Sequence, residues 1–71
     1  MGVTLSGNQN IVPGEVLFEF TRMGPQMRVA AIHAATGVEV VVITPANSPR
    51  LQMQQVALAK LKRRIERESQ G

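Results

Sequence analysis

The chain contains no cysteine, tryptophan or tyrosine, and only two phenylalanines among its 71 residues. Without cysteine, neither disulfide bonds nor cysteine-ligated metal clusters can stabilise a small fold, so stability must come from packing or from a partner. Without tryptophan or tyrosine, and with both phenylalanines expected in the core, we do not expect stacking on single-stranded bases.

Long apolar runs and glycine motifs are also missing. No stretch approaches the roughly 18 apolar residues that a membrane span requires, and the sequence does not begin with a charged segment followed by an apolar one. We therefore expect a cytoplasmic protein with no membrane partner. The six glycines are scattered and form neither a dinucleotide-binding motif nor a Walker motif, so we expect no cofactor.

Positive charge is concentrated in the C-terminal segment. Residues 1–49 contain two arginines and three glutamates, a net charge of −1, whereas residues 50–71 contain six cations and two glutamates, a net charge of +4. Apolar residues make up 44% of the chain, close to the usual share in folded proteins. This composition predicts one small folded domain that ends in a basic segment.

Three segments alternate apolar and polar residues in the way that strands do. They are EVLFEFTR (15–22), QMRVAAIHA (26–34) and VEVVVIT (38–44). Turn-forming residues separate them, Met23-Gly24-Pro25 first and then a four-residue turn closed by Gly37 with positive φ, which predicts two hairpins. If Arg22 lies opposite Met27, the apolar positions of the first two strands fall on the same side of the sheet.

The last segment has the period of an amphipathic helix. Ser48 is expected to be the N-cap and Pro49 the first helical residue, and the helix should continue to about Arg67. The expected apolar side consists of Leu51, Met53, Ala57, Leu58, Leu61 and Ile65.

These elements predict an α+β fold, a three-stranded antiparallel β-sheet (meander) followed by one C-terminal amphipathic helix (βββα). We assign residues 14–68 to this domain, 1–13 to a flexible N-terminal tail and 69–71 to a disordered C-terminus. One helix covers one sheet face, and we assign that face to Val16, Phe18, Phe20 and Val29. The other face is a candidate partner surface that includes Leu17, Ile32, Val41 and Ile43, and the edge of the third strand is a second candidate.

Residues with catalytic potential have simpler structural explanations. His33 lacks an obvious second ligand or nucleophile, and we expect a solvated structural role beside a turn. Glu15 and Glu19 share a strand face but are expected to keep that face soluble, and Ser48 is expected to cap the helix. We predict no catalytic and no metal-binding residue.

The basic side of the helix is a candidate nucleic-acid contact, formed by Lys60, Arg63, Arg64 and Arg67 together with Lys62. Such clusters attract phosphate backbones. Cations at these positions would also keep the protein soluble and interact favourably with the C-terminal end of the helix dipole, without any nucleic acid.

Three segments, GEVLFEF, ATGVEV and PANSPRLQMQQVALAKLKRRI, resemble a small family of uncharacterised bacterial proteins grouped as a domain of unknown function, over roughly residues 14–65. The resemblance implies no activity. The βββα order also resembles the C-terminal half of a double-stranded RNA-binding domain, although the basic residues here lie at the far end of the helix. We expect a non-enzymatic homodimeric interaction module, with weak sequence-independent nucleic-acid binding as the alternative.

Overall fold

A computed structural model describes residues 3–7 and 14–70, with side chains for residues 14–68. It contains one antiparallel sheet of strand order β1-β2-β3-β4 and one helix. The elements are β1 (Val3–Gly7), β2 (Val16–Met23), β3 (Gln26–His33), β4 (Glu39–Pro45) and α1 (Arg50–Gln70). The predicted α+β class, an antiparallel meander followed by a C-terminal helix, is confirmed.

The first hairpin has the predicted register. Arg22 lies opposite Met27 and Phe20 opposite Val29, so the apolar positions of β2 and β3 share one face. Gly24 adopts a φ of 60° at the first central position of the two-residue turn, where a type II′ turn requires positive φ. The Arg22 Nε donates a hydrogen bond of 2.9 Å to the Gly24 carbonyl and braces this turn.

The second hairpin closes at Gly37, which adopts the expected positive φ, here 76°. The Gly37 N–H donates to the His33 carbonyl at 2.7 Å, and the His33 N–H donates to the Val38 carbonyl at 2.8 Å. These bonds fix the register of β4 against β3, in which Val42 lies opposite Val29.

The core lies between the sheet and α1, which packs on β3 and β4. The expected face of the sheet is the covered one, since Val16, Phe18, Phe20 and Val29 are all buried. The helix contributes Met53, Ala57, Leu58 and Leu61 to the same core, and Ile65 packs against it partly buried.

The N-terminal segment corrects one expectation. Val3–Gly7, predicted to belong to a flexible tail, forms β1 and pairs antiparallel with β2. Val3 lies opposite Phe20 and Leu5 opposite Phe18, so the period-two pattern of this short segment matches that of β2. The other residues of the predicted tail, 1–2 and 8–13, lie outside the described part of the chain.

The helix also differs in detail from the prediction. It begins at Arg50, and the Pro49 carbonyl accepts the first helical bond from the Met53 N–H at 3.1 Å. It continues to Gln70, so residues 69 and 70 are helical where disorder was expected, and Gly71 lies outside the described residues. Leu51, expected in the core, is 66% exposed because α1 lies over β3 and β4 and Leu51 points past them.

Candidate functional site

The sheet face opposite α1, which we call the open face, is uncovered in the described structure. Cross-strand pairing arranges the residues that β2, β3 and β4 contribute to this face in three rows. These are the Leu17 row (Leu17, Ile32, Glu39), the Ala30 row (Glu19, Ala30, Val41) and the Arg28 row (Thr21, Arg28, Ile43). All four residues predicted to form a partner surface therefore lie together on this face.

Apolar side chains extend across the open face from Leu17 on β2 and Ile32 on β3 to Val41 and Ile43 on the edge strand β4. Leu17, Ile32 and Val41 are each half-buried by their neighbours, and Ile43 is 50% exposed. Ala30 lies between them and is fully buried by its neighbours. A face of this composition gains free energy when a second apolar surface covers it.

Three charged side chains of both signs lie among these apolar residues, Glu19 on β2, Arg28 on β3 and Glu39 on β4. Glu19 and Glu39 are exposed and Arg28 is partly buried. Within the residues that the structure describes, both ion pairs lie on α1 and none involves the open face. The charged residues of the open face thus form no ion pair with another described residue.

The outer edge of β4, the other candidate partner surface, is partly closed. The Lys60 Nζ donates a hydrogen bond of 2.8 Å to the Val41 carbonyl, across from the helix to the edge strand. Pro45, the last residue of β4, has no N–H to offer a further strand. Both features hinder the addition of a strand at this edge.

The basic side of α1 is only partly available to a ligand. Lys60 is bonded to β4, Lys62 lies 3.9 Å from Glu66, and Arg64 Nε donates to Glu68 Oε2 at 2.7 Å. Arg63 and Arg67 are exposed, and neither forms a side-chain bond within the described range. Of the four residues predicted to contact nucleic acid, Lys60 and Arg64 thus have partners within the chain.

Arg50 has a role that the sequence did not indicate. Its guanidinium lies 4.2 Å from the centre of the Phe20 ring, in a cation–π contact at the start of α1. Phe20 belongs to β2 and Arg50 to the helix, so the contact joins two elements that are distant in sequence. Only the tertiary structure brings them together.

His33 corrects a further expectation, since the residue is 4% exposed rather than solvated. The ring Nδ1 lies 2.8 Å from the Thr36 Oγ1 in the following turn. A Cβ at Gly14, whose φ is 102°, would lie 3.1 Å from the His33 Nε2. These contacts place His33 in the packing of the β3–β4 turn.

Among the described residues we looked for a binding groove, a metal-ligating cluster and a membrane-spanning helix. A small depression of about 60 Å³ beside α1 is lined by Phe18, Leu51 and Leu58 with two glutamines, and it has no titratable group. No group of three metal-ligating side chains occurs among the described residues. No helix in the described ranges is long and apolar enough to cross a membrane.

Comparison with known proteins identifies one family. The model of a domain of unknown function, DUF6898, matches residues 13–68, a range that includes β2, β3, β4 and nearly all of α1. No curated protein and no solved structure matches the chain.

Proposed function

We propose that this chain, which belongs to the DUF6898 family of domains of unknown function, is a non-enzymatic, cytoplasmic interaction module that forms a homodimer through its open face. The proposal is supported by the position of the helix, since the described residues cover only one side of the sheet. The helix buries one face, while the other presents Ile32, Val41 and Ile43 to the surroundings.

The size of the open face is compatible with a weak dimer. Four strands about 4.8 Å apart and about 25 Å long give a projected face of about 480 Å². Two such faces together offer about 1,000 Å², which is near the lower limit for a specific interface. We therefore expect association in the micromolar range.

A face-to-face contact is favoured over edge pairing because the β4 edge is partly occupied within the chain and the open face is available. The Lys60 bond to Val41 occupies an edge carbonyl that a pairing strand would need. The open face, in contrast, has exposed apolar residues and charges of both signs, which suits a second copy of the same face.

The test is sedimentation of the full chain across a concentration series, in low and in high salt. A dimer that persists in high salt is expected, because apolar burial dominates the contact and salt does not screen it. A strict monomer at high micromolar concentration would contradict the proposal.

A second candidate function, weak sequence-independent nucleic-acid binding, is supported by Arg63 and Arg67, which are exposed on α1. Charge reversal at both positions is expected to abolish any binding of a labelled duplex RNA at low salt. Reversal at Arg22, which lies on the sheet, is a control for half of this change in net charge, and circular dichroism checks that the turn braced by Arg22 still folds. Binding that survives the helix reversal would exclude this surface.

A further inference from the structure

We propose that the outer edge of β2 is a strand-docking site for an extended peptide with apolar residues at alternate positions, and that β1 occupies this site within the chain. The site is separate from the open face and does not depend on the homodimer. Its parts are the backbone groups of β2, the displaceable strand β1 and the depression beside α1.

The backbone of β2 has a row of hydrogen-bonding groups along its outer edge. Antiparallel strands bond through alternate residues, and the two-residue turn makes Met23 and Gln26 a bonded pair of β2 and β3. The Ala34 N–H bond to the Glu15 carbonyl, at 2.9 Å, belongs to the same series. The N–H and C=O groups directed outward, towards β1, therefore come from the intervening residues of β2, which are Val16, Phe18 and Phe20.

The strand β1 is attached to the fold through this edge. Val3–Gly7 pairs with β2, whereas α1 packs on β3 and β4. The family match begins at residue 13, so the unit that this chain shares with its family includes the β2 edge and excludes β1. A strand held by a single neighbour opens at a lower free energy than the strands in the middle of a sheet. We therefore infer that β1 is a displaceable occupant of the site.

The depression beside α1 provides side-chain selectivity. It lies next to Phe18 and is also lined by Leu51 and Leu58, and in the register Phe18 lies opposite Leu5. A ligand residue at that register position has its side chain on the same face of the sheet as Phe18 and therefore beside the depression. Backbone bonds of an added strand provide affinity, and pockets for alternate side chains provide specificity. The site thus selects an extended segment with apolar residues two positions apart, as Val3 and Leu5 are.

Amide hydrogen exchange of the full natural chain measures whether β1 opens by itself. The N–H groups of Phe18 and Phe20 bond to β1, while the N–H of Glu19 between them bonds to β3. After correction for intrinsic rates, we expect the Phe18 and Phe20 amides to exchange at least about tenfold faster than the Glu19 amide. Equal rates would show that β1 opens only together with the sheet, and would overturn the proposal.

Fluorescence anisotropy of a labelled peptide with the sequence of residues 1–7 tests the docking itself. Leu5→Pro removes an N–H that bonds to β2 and so releases β1. We expect this variant to bind the peptide at least about tenfold more tightly than the natural chain, whose own strand competes at a millimolar effective concentration. Thr4→Pro is the matched control, because the Thr4 N–H faces away from β2, and it should bind as the natural chain does. A peptide with proline at the Leu5 position should not bind.

Each result decides the proposal. Faster exchange at Phe18 and Phe20, together with tighter binding by Leu5→Pro and not by Thr4→Pro, supports the docking site. A folded Leu5→Pro that binds the peptide no better than the natural chain does, or no better than Thr4→Pro does, overturns it. Circular dichroism monitors the fold, and a Leu5→Pro chain that does not fold also overturns the proposal, since β1 is then indispensable. These measurements leave the homodimer of the open face to its own test.

Discussion

Ile43 provides the most informative single substitution. It is 50% exposed at the β4 end of the Arg28 row, and Ile43→Thr removes apolar surface while keeping the β-branched shape that strands favour. Complete burial of isoleucine contributes about 2 kcal/mol, so covering the exposed half contributes about 1 kcal/mol per copy. Two copies give about 2 kcal/mol, which weakens the dimer about thirtyfold.

Sedimentation equilibrium measures this change, with Val56→Thr as the control. Val56 is 45% exposed, nearly as much as Ile43, but lies on α1, on the other side of the sheet. We expect Val56→Thr to leave the dissociation constant within a factor of about two, because a surface substitution outside the contact changes energies little. An unchanged dimer for Ile43→Thr, or an equal loss for Val56→Thr, would refute the reasoning.

Three further predictions concern stability and the sheet edge. Leu61→Ala, at a fully buried position, should lower the free energy of unfolding by about 3 kcal/mol in urea titrations. Gly24→Ala should lower the free energy of unfolding by about 1 kcal/mol, because alanine disfavours a positive φ. Gly14→Ala should lower it clearly more, because its Cβ would also contact His33. Equal losses for the two variants would contradict the contact with His33. Lys60→Met keeps the aliphatic stem but frees the β4 edge, so thioflavin-positive aggregation should accelerate, whereas Lys60→Arg should behave as the natural chain.

The hairpins were predictable because their signals are local. Alternation placed Phe18 and Phe20 on one face, and Gly24 and Gly37 marked the turns, so the register followed from matching apolar faces. The open face was predictable from the number of elements, since one helix can cover only one side of a sheet.

The structure differs from the sequence-based predictions where a residue's environment depends on how distant elements pack. The alternation from Val3 to Ser6 is too short to identify a strand without its partner β2. Leu51 has helical spacing with the core residues, but the position of α1 over β3 and β4 leaves it outside. The Lys60 bond to the Val41 carbonyl joins residues 19 positions apart, and no sequence period reports such a contact.

The most direct test of the homodimer is a set of intermolecular nuclear Overhauser effects in an equal mixture of isotope-labelled and unlabelled chain. At concentrations where the dimer forms, we expect contacts between copies from the methyl groups of Leu17, Ile32, Val41 and Ile43, and none from Leu51 or Val56. Contacts from the helix methyl groups, with none from the open face, would contradict the account.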